Sequence, residues 1–214
     1  MKIYHGSKAI IKKPLYKGSE INNDYGPAFY TTIDFENACI WASKNNSVGY
    51  VNEYEISFDD LKILDLTNKD KYSVLNWIAI LLSNRSLEHS FSLLNRDKIK
   101  KIIDKYAMNL EEYDVVIGYR ADDAYFRFPK EFVIGNLSLE DLEEIFRLGS
   151  LGTQYVFVSQ KAIDKLKFKK ATLVDEKYVG RYFKQVKDAT SLFDEILKKS
   201  IDGRVGTRIG DLLK

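Results

Sequence analysis

Apolar side chains recur along this chain with two different periods, and the switches between them predict its elements. Short runs of aromatic and β-branched residues, broken by Gly or Pro, read as strands. Lys2-Ile3-Tyr4-His5-Gly6-Ser7 is the first, and Phe29-Tyr30-Thr31-Thr32 follows a tight turn at Gly26-Pro27. Residues 49–58 alternate apolar and polar, as a half-buried strand does, and Leu61–Leu66 reads as another. Tyr113–Tyr119 is continuously apolar, the pattern of a central strand covered on both faces. Thr153–Val158 forms a further strand, and residues 167–175 add one more.

Between these runs the spacing turns helical. Asp34 caps a helix running to about Lys44, with Phe35, Ala38, Cys39 and Ala42 as its buried stripe and Trp41 off the stripe's centre. Ser73 to Ala107 reads as two helices parted near Asn84-Arg85-Ser86, the second burying Phe91, Leu94, Ile99, Ile102, Ile103 and Tyr106. A helical stretch strained by Pro129 follows Asp122-Asp123, and Ser138-Leu139-Glu140-Asp141 is a capping box for a helix that stops at Gly149. Ser159 to Leu166 is short and helical, as are the patterns around Tyr178–Lys187 and Ser191–Lys199. Strands and helices thus mix irregularly, and the fold class expected is α+β.

The chain's 214 residues suffice for one core with an appendage. From Lys165 onward, thirteen Lys/Arg stand against seven Asp/Glu, an excess compatible with a nucleic-acid or partner contact and equally with a solvated helical tail. A net charge of +2 gives no whole-molecule field for nucleic acid. A lone cysteine, Cys39, suits a reducing compartment. With no leader before the first strand, and no apolar run longer than Trp77–Leu82, a cytoplasmic location without a membrane partner is expected.

The chemistry concentrates near the amino end. His5 supplies a hydrogen-bonding ring beside Gly6, whose missing side chain lets a planar ligand approach the backbone, and Tyr30 on a neighbouring strand can cover that ligand. Each residue alone also has a structural reading, as a strand-end histidine and a core tyrosine. No metal-ligand spacing is present, since His5 and His89 lie in separate elements, and no Gly-rich phosphate loop occurs.

Together, His5-Gly6-Ser7, Phe29-Tyr30-Thr31, Trp41 eleven residues past Tyr30, and Gln154-Tyr155-Val156-Phe157 behind a Gly-bearing loop form a joint pattern. It resembles the His-Tyr-Glu branch of the ADP-ribosyltransferases, the superfamily of the poly(ADP-ribose) polymerases and diphtheria toxin, over residues 1 to about 168. More narrowly, it is similar to a small bacterial family of uncharacterised function in which Gln often holds the third motif. Some members of that family are encoded beside a small protein in toxin–antitoxin-like pairs. The resemblance implies a split mixed β-sheet core with flanking helices, with residues 169–214 as a basic, mainly helical extension. It implies NAD as co-substrate, held by His5, Gly6, Ser7, Tyr30, Thr31 and Trp41, with Tyr30 and Trp41 sandwiching nicotinamide. His5, Tyr30 and Gln154 would form the catalytic set, without metal. The implied activity is toxin-like transfer of ADP-ribose to a protein or nucleic acid, or to water, restrained by a cognate antitoxin.

The sequence departs from the family pattern at two places. Ala28 stands where a glycine commonly precedes the stacking tyrosine. Gln154 replaces the glutamate that holds the ribose 2′-hydroxyl and stabilises the positive ring; it can accept that hydrogen bond but supplies no charge and no general base. Asp24, Asp122 and Asp123 are the candidate substitute carboxylates. An acceptor that needs no strong base then fits best, such as a nucleobase nitrogen, a phosphate or water. The alternative functions are a module that kept the NAD cleft and lost catalysis, and a nucleic-acid-binding protein acting through its basic tail.

Overall fold

The computed structural model describes residues 1–85, 92–121, 127–148, 152–203 and 205–214, with backbone alone for 147 and 148. It is a mixed α+β fold of two small sheets and, among the described residues, eight helices. The first sheet has the order β1-β3-β7, from β1 (Lys2–Ser7), β3 (Tyr50–Glu55) and β7 (Lys167–Leu173), antiparallel throughout. The second has the order β2-β6-β5-β4, from β2 (Phe29–Thr31), β6 (Thr153–Phe157), β5 (Val115–Tyr119) and β4 (Ile63–Asp65). Only its β4–β5 pair is parallel. A single bridge between Tyr4 and Thr32 joins β1 to the segment after β2, so the sheets part just beyond it.

Three apolar clusters hold these layers. Ile3, Phe29, Tyr54, Val115 and Phe157 fill the space between the sheets. On one outer flank, α1 (Phe35–Ala42) packs Ala38, Cys39 and Ala42 against Val51, Val174 and Tyr178. The other flank is the largest cluster and is built around α2 (Val74–Asn84). Every residue of α2 from Trp77 to Leu82 is buried, so the apolar run that is too short to cross a membrane is the centre of a core. No described helix is long and apolar enough to cross a membrane. Around α2 lie α3 (Leu93–Tyr106), α4 (Arg127–Ile134), α5 (Leu139–Leu148) and α7 (Arg181–Gly203), which contributes Phe193 and Ile196. The short helices α6 (Gln160–Asp164) and α8 (Ile209–Leu212) complete the set.

Several local expectations meet their physical cause here. Asp34 does cap α1, accepting from the amides of Glu36 and Asn37. The Ser138–Asp141 box closes α5 in both directions, at 2.8 and 3.1 Å. Pro129 is the third described residue of α4 and is buried with Phe128, Phe132 and Val133. Phe35 is 38% exposed rather than in the α1 stripe, and sets its edge on Tyr4; Ile40 takes the buried place. Leu94 is 68% exposed, so of the residues expected in the α3 core only Ile102 is fully buried, and Phe91 lies outside the described residues. Residues 50–55 are not half-buried: β3 is the middle strand of its sheet, and Val51, Asn52, Glu53 and Tyr54 are all buried.

Two of those buried residues are polar and pair fully. Glu53 meets Lys2 and Lys170, at 3.3 and 3.7 Å. Asn52 gathers the chain leaving β1, donating to Ser7 Oγ and the Ala9 carbonyl and accepting from Ile11 N. At the carboxyl end, the patterns near 178–187 and 191–199 merge into the single helix α7. The boundary expected at residue 168 falls inside β7, which stays paired with β3 as far as Leu173.

Candidate functional site

Where the sheets part, one pocket of about 350 Å³ opens between the ends of β1, β2 and β6, the first turns of α1, and the loops holding Asp24, Arg85 and Arg120. Its lining includes His5, Gly6, Asp24, Tyr30, Thr31, Trp41 and Gln154. These residues come from five separate stretches of sequence, and the topology brings them to one cavity because β2 pairs with β6 while β1 bridges to Thr32. Ser7 does not line it: its hydroxyl donates to the Ala9 carbonyl and accepts from Asn52, pinning the next loop. Asp122 and Asp123 lie outside the described residues.

His5 is held on one side only. Its Nδ1 lies 2.7 Å from the carbonyl oxygen of Tyr30. A carbonyl only accepts, so Nδ1 carries the proton and the neutral ring keeps Nε2 as an acceptor. Burial holds the imidazole below its ordinary value of 6.5, although the Tyr30 hydrogen bond pulls the other way. Phe29 tilts against the ring at 4.6 Å and fixes its plane. Gly6 lines the pocket and has a packing reason to be small as well: a Cβ there would lie 2.1 Å from the Ala38 carbonyl oxygen and 2.8 Å from Ala42 N. The glycine lets α1 pack directly on β1, and this contact brings Trp41 to the pocket wall.

Tyr30 is tethered at its far end. Its hydroxyl donates to the Gly26 carbonyl at 2.6 Å and accepts from Tyr25 N at 3.1 Å, with Gly26 at a positive φ of 75°. The ring therefore stands as a fixed wall, and burial pushes its phenol pKa up, so the hydroxyl keeps its proton. Trp41 already has company: the Arg120 guanidinium lies 3.8 Å from its ring centroid, Lys44 Nζ lies 4.2 Å away, and Tyr182 meets it edge-on at 5.9 Å. The expected sandwich of a planar ligand between Tyr30 and Trp41 is thus not pre-formed. Trp41 instead anchors a cationic rim, and Tyr182 comes from the first turn of α7.

The pocket floor is a charged hub. Asp24, only 5% exposed, accepts at Oδ1 from Arg85 Nη2 and Nε, at 2.7 and 3.0 Å. At Oδ2 it accepts from Ala121 N at 2.8 Å and from Gln154 Nε2 at 3.2 Å. Burial pushes this carboxyl up, against the pull of Arg85 and of the other donors. All four contacts, from three residues, are donors, so the ionised form is the one this cluster is built around. With both oxygens engaged, Asp24 is not placed to act as a general base. Gln154, 8% exposed, faces inward rather than to solvent.

In the sequence pattern Asp24 is only an auxiliary carboxylate, and Arg85, Lys44, Arg120 and Tyr182 carry no signal of a pocket role. Arg85 stands in the Asn84-Arg85-Ser86 break between two helices, and only tertiary contact shows what it meets. The Asp24-Tyr25-Gly26 run beside the Tyr30 strand was a usable signal, since Tyr25 and Gly26 both bind the Tyr30 hydroxyl.

The chain belongs to the family described as protein of unknown function (DUF3990), which matches residues 1–168. No curated protein and no solved structure matches it. The matched segment holds every pocket residue discussed here except Tyr182.

Proposed function

We propose that this member of the family binds NAD in the pocket between its two sheets and transfers ADP-ribose, by cleavage at the nicotinamide–ribose bond, to a macromolecular acceptor or to water. The observation that carries the reading is the convergence of His5, Tyr30 and Gln154 on one cavity, from strands that are separate in sequence. A split mixed sheet of the ADP-ribosyltransferase kind is the finer fold reading that agrees with the two-sheet topology. The pocket volume falls within the roughly 300–1,000 Å³ usual for small-molecule sites.

The residues present suit the ligand's chemistry. His5 offers Nε2, and Gln154 offers Oε1, as acceptors for ribose hydroxyls or a carboxamide N–H. Tyr30 offers a fixed aromatic face for a planar ring. Among the described residues, the lining carries Lys44, Arg85 and Arg120 with Glu20 and Asp24, and these cations suit a ligand bearing phosphates. In the reaction, the C–N bond to nicotinamide breaks with its electron pair leaving on the ring, and the acceptor forms the new bond and loses its proton. The part of this chain is to orient the ribose and exclude water. Because Asp24 is saturated with donors, the acceptor must not need a strong base, which keeps a nucleobase nitrogen, a phosphate or water as the candidates. A toxin-like role, restrained by a cognate antitoxin, remains part of this proposal.

One observation favours a second reading, a module that binds the ligand without cleaving it. Among the described residues, the buried carboxylate beside Gln154 is already neutralised by Arg85. Calorimetric titration with NAD, followed by chromatography for released nicotinamide, separates the two. Binding with release supports transfer or hydrolysis, and binding without release supports the module. No binding of NAD or ADP-ribose refutes both.

A further inference from the structure

Asp24 and Gln154 meet from 130 positions apart in the chain, and the contact between them decides what each can do. A carboxylate has no hydrogen to give. The 3.2 Å approach to Asp24 Oδ2 is therefore possible for the NH₂ end of the Gln154 amide, and the other end must turn away. Oε1 accepts from no described residue, while Gln154 lines the pocket. The backbone of Gln154 is fixed as well, by its pairing with Gly118 of β5, and the next residue, Tyr155, is paired on both sides, with Thr31 and Ile117.

We propose that Asp24 and Gln154 form one acid–amide unit carrying a single negative charge, in which Asp24 is a positioning residue that locks Gln154 with Oε1 presented to the pocket as an acceptor. The unit exists whatever ligand fills the pocket. That the group accepted is a ribose hydroxyl rests on the NAD reading above. The unit also explains the amide: a carboxylate at position 154 would place a second negative charge about 3 Å from Asp24, and two carboxyl groups at that distance share one proton. Within this unit the carboxylate belongs to position 24, tied to Arg85, and the neutral acceptor to position 154. Among the described residues, the titratable groups around the pair are Arg85 beyond α2, Tyr25 and Tyr30 before and on β2, Tyr4 and His5 on β1, Glu20 in the preceding loop, Lys44 after α1, Arg120 after β5 and Tyr182 on α7.

The test is the pH dependence of stability. In Gln154→Glu, a protonated Glu can replace the amide as donor to Asp24, so the variant should match the wild type at pH 5 and fall behind as pH rises. The sign follows from linkage: a folded-state pKa above the unfolded value gives stability that is lost as pH rises through the folded pKa. The loss should be centred at least about one pH unit above an ordinary glutamate. Gln154→Leu removes the donor without adding charge and should give a deficit that does not vary with pH. Asp24→Asn/Gln154→Glu should lose the slope, because one carboxylate remains. A pH-independent deficit in Gln154→Glu, or failure of that variant to fold at pH 5, overturns the unit. With ADP-ribose as the probe, Asp24→Asn should weaken binding at least tenfold if Gln154 must be locked, and unchanged affinity overturns the positioning role. If wild-type protein binds no ADP-ribose, the NAD reading falls and the stability series still decides the unit.

Discussion

Gly118 offers the sharpest test of how the fold builds its pocket. A Cβ at this position would lie 2.1 Å from the Tyr25 hydroxyl and 3.1 Å from Cζ of the same ring, with Leu66 Cδ1 at 3.5 Å. Tyr25 is buried, and its hydroxyl donates to the Tyr119 carbonyl at 2.7 Å, so the ring crosses β5 with no room to slide. Gly118→Ala should therefore force the phenol off β5. Overpacking of a filled core costs about 1–3 kcal/mol, and the lost hydrogen bond adds about 1 kcal/mol. The Tyr119 carbonyl is not orphaned, because Trp77 Nε1 also donates to it at 3.0 Å. Tyr25→Phe alone should then cost only about 0.5–1.5 kcal/mol. The double variant removes the closest atom, leaves a 3.1 Å contact that a small ring shift relieves, and should be more stable than Gly118→Ala by about 1 kcal/mol or more. Urea denaturation of the four proteins closes the cycle. Since Asp24 adjoins Tyr25, Gly118→Ala should also weaken ligand binding beyond its loss of stability. A Gly118→Ala protein as stable as wild type, or one that Tyr25→Phe fails to rescue, refutes the packing argument.

Three further outcomes are expected. Because burial lowers the folded-state pKa of His5, its contribution to stability is complete above the ordinary value of 6.5 and is lost as pH falls through the folded value; thermal midpoints between pH 5 and 8 should show that His5→Gln lacks this component. Asn52→Ala should cost about 2–3 kcal/mol by stranding the Ile11 amide and freeing the loop after β1, and faster hydrogen exchange at Ile11 would report it. Arg120→Ala and Lys44→Ala should weaken ADP-ribose about tenfold while leaving nicotinamide unaffected, and the loss should shrink at high salt; equal effects on both ligands would remove the rim from phosphate recognition.

The elements of this protein are local facts, and its sequence reports them well. Asp34 and the Ser138–Asp141 box announce their helices because a cap is a bond to an amide two or three residues away. The apolar run at Tyr113–Tyr119 announces an interior strand because both of its faces need cover, and β5 does lie inside its sheet. The gathering of His5, Tyr30, Trp41 and Gln154 was also legible, though through a resemblance of motifs rather than through periodicity. Three things belong to tertiary structure alone. Gly6 reads only as a place for ligand approach, and its second role under Ala38 is not visible, since close packing of a helix on a strand leaves no local trace. Trp41 reads as a stacking partner until Arg120 is seen on its face. Asp24 reads as one of three spare carboxylates until Arg85, Ala121 and Gln154 are brought to it from 61, 97 and 130 positions away. A buried charge is decided by the donors around it, and those donors are neighbours in space and not in sequence.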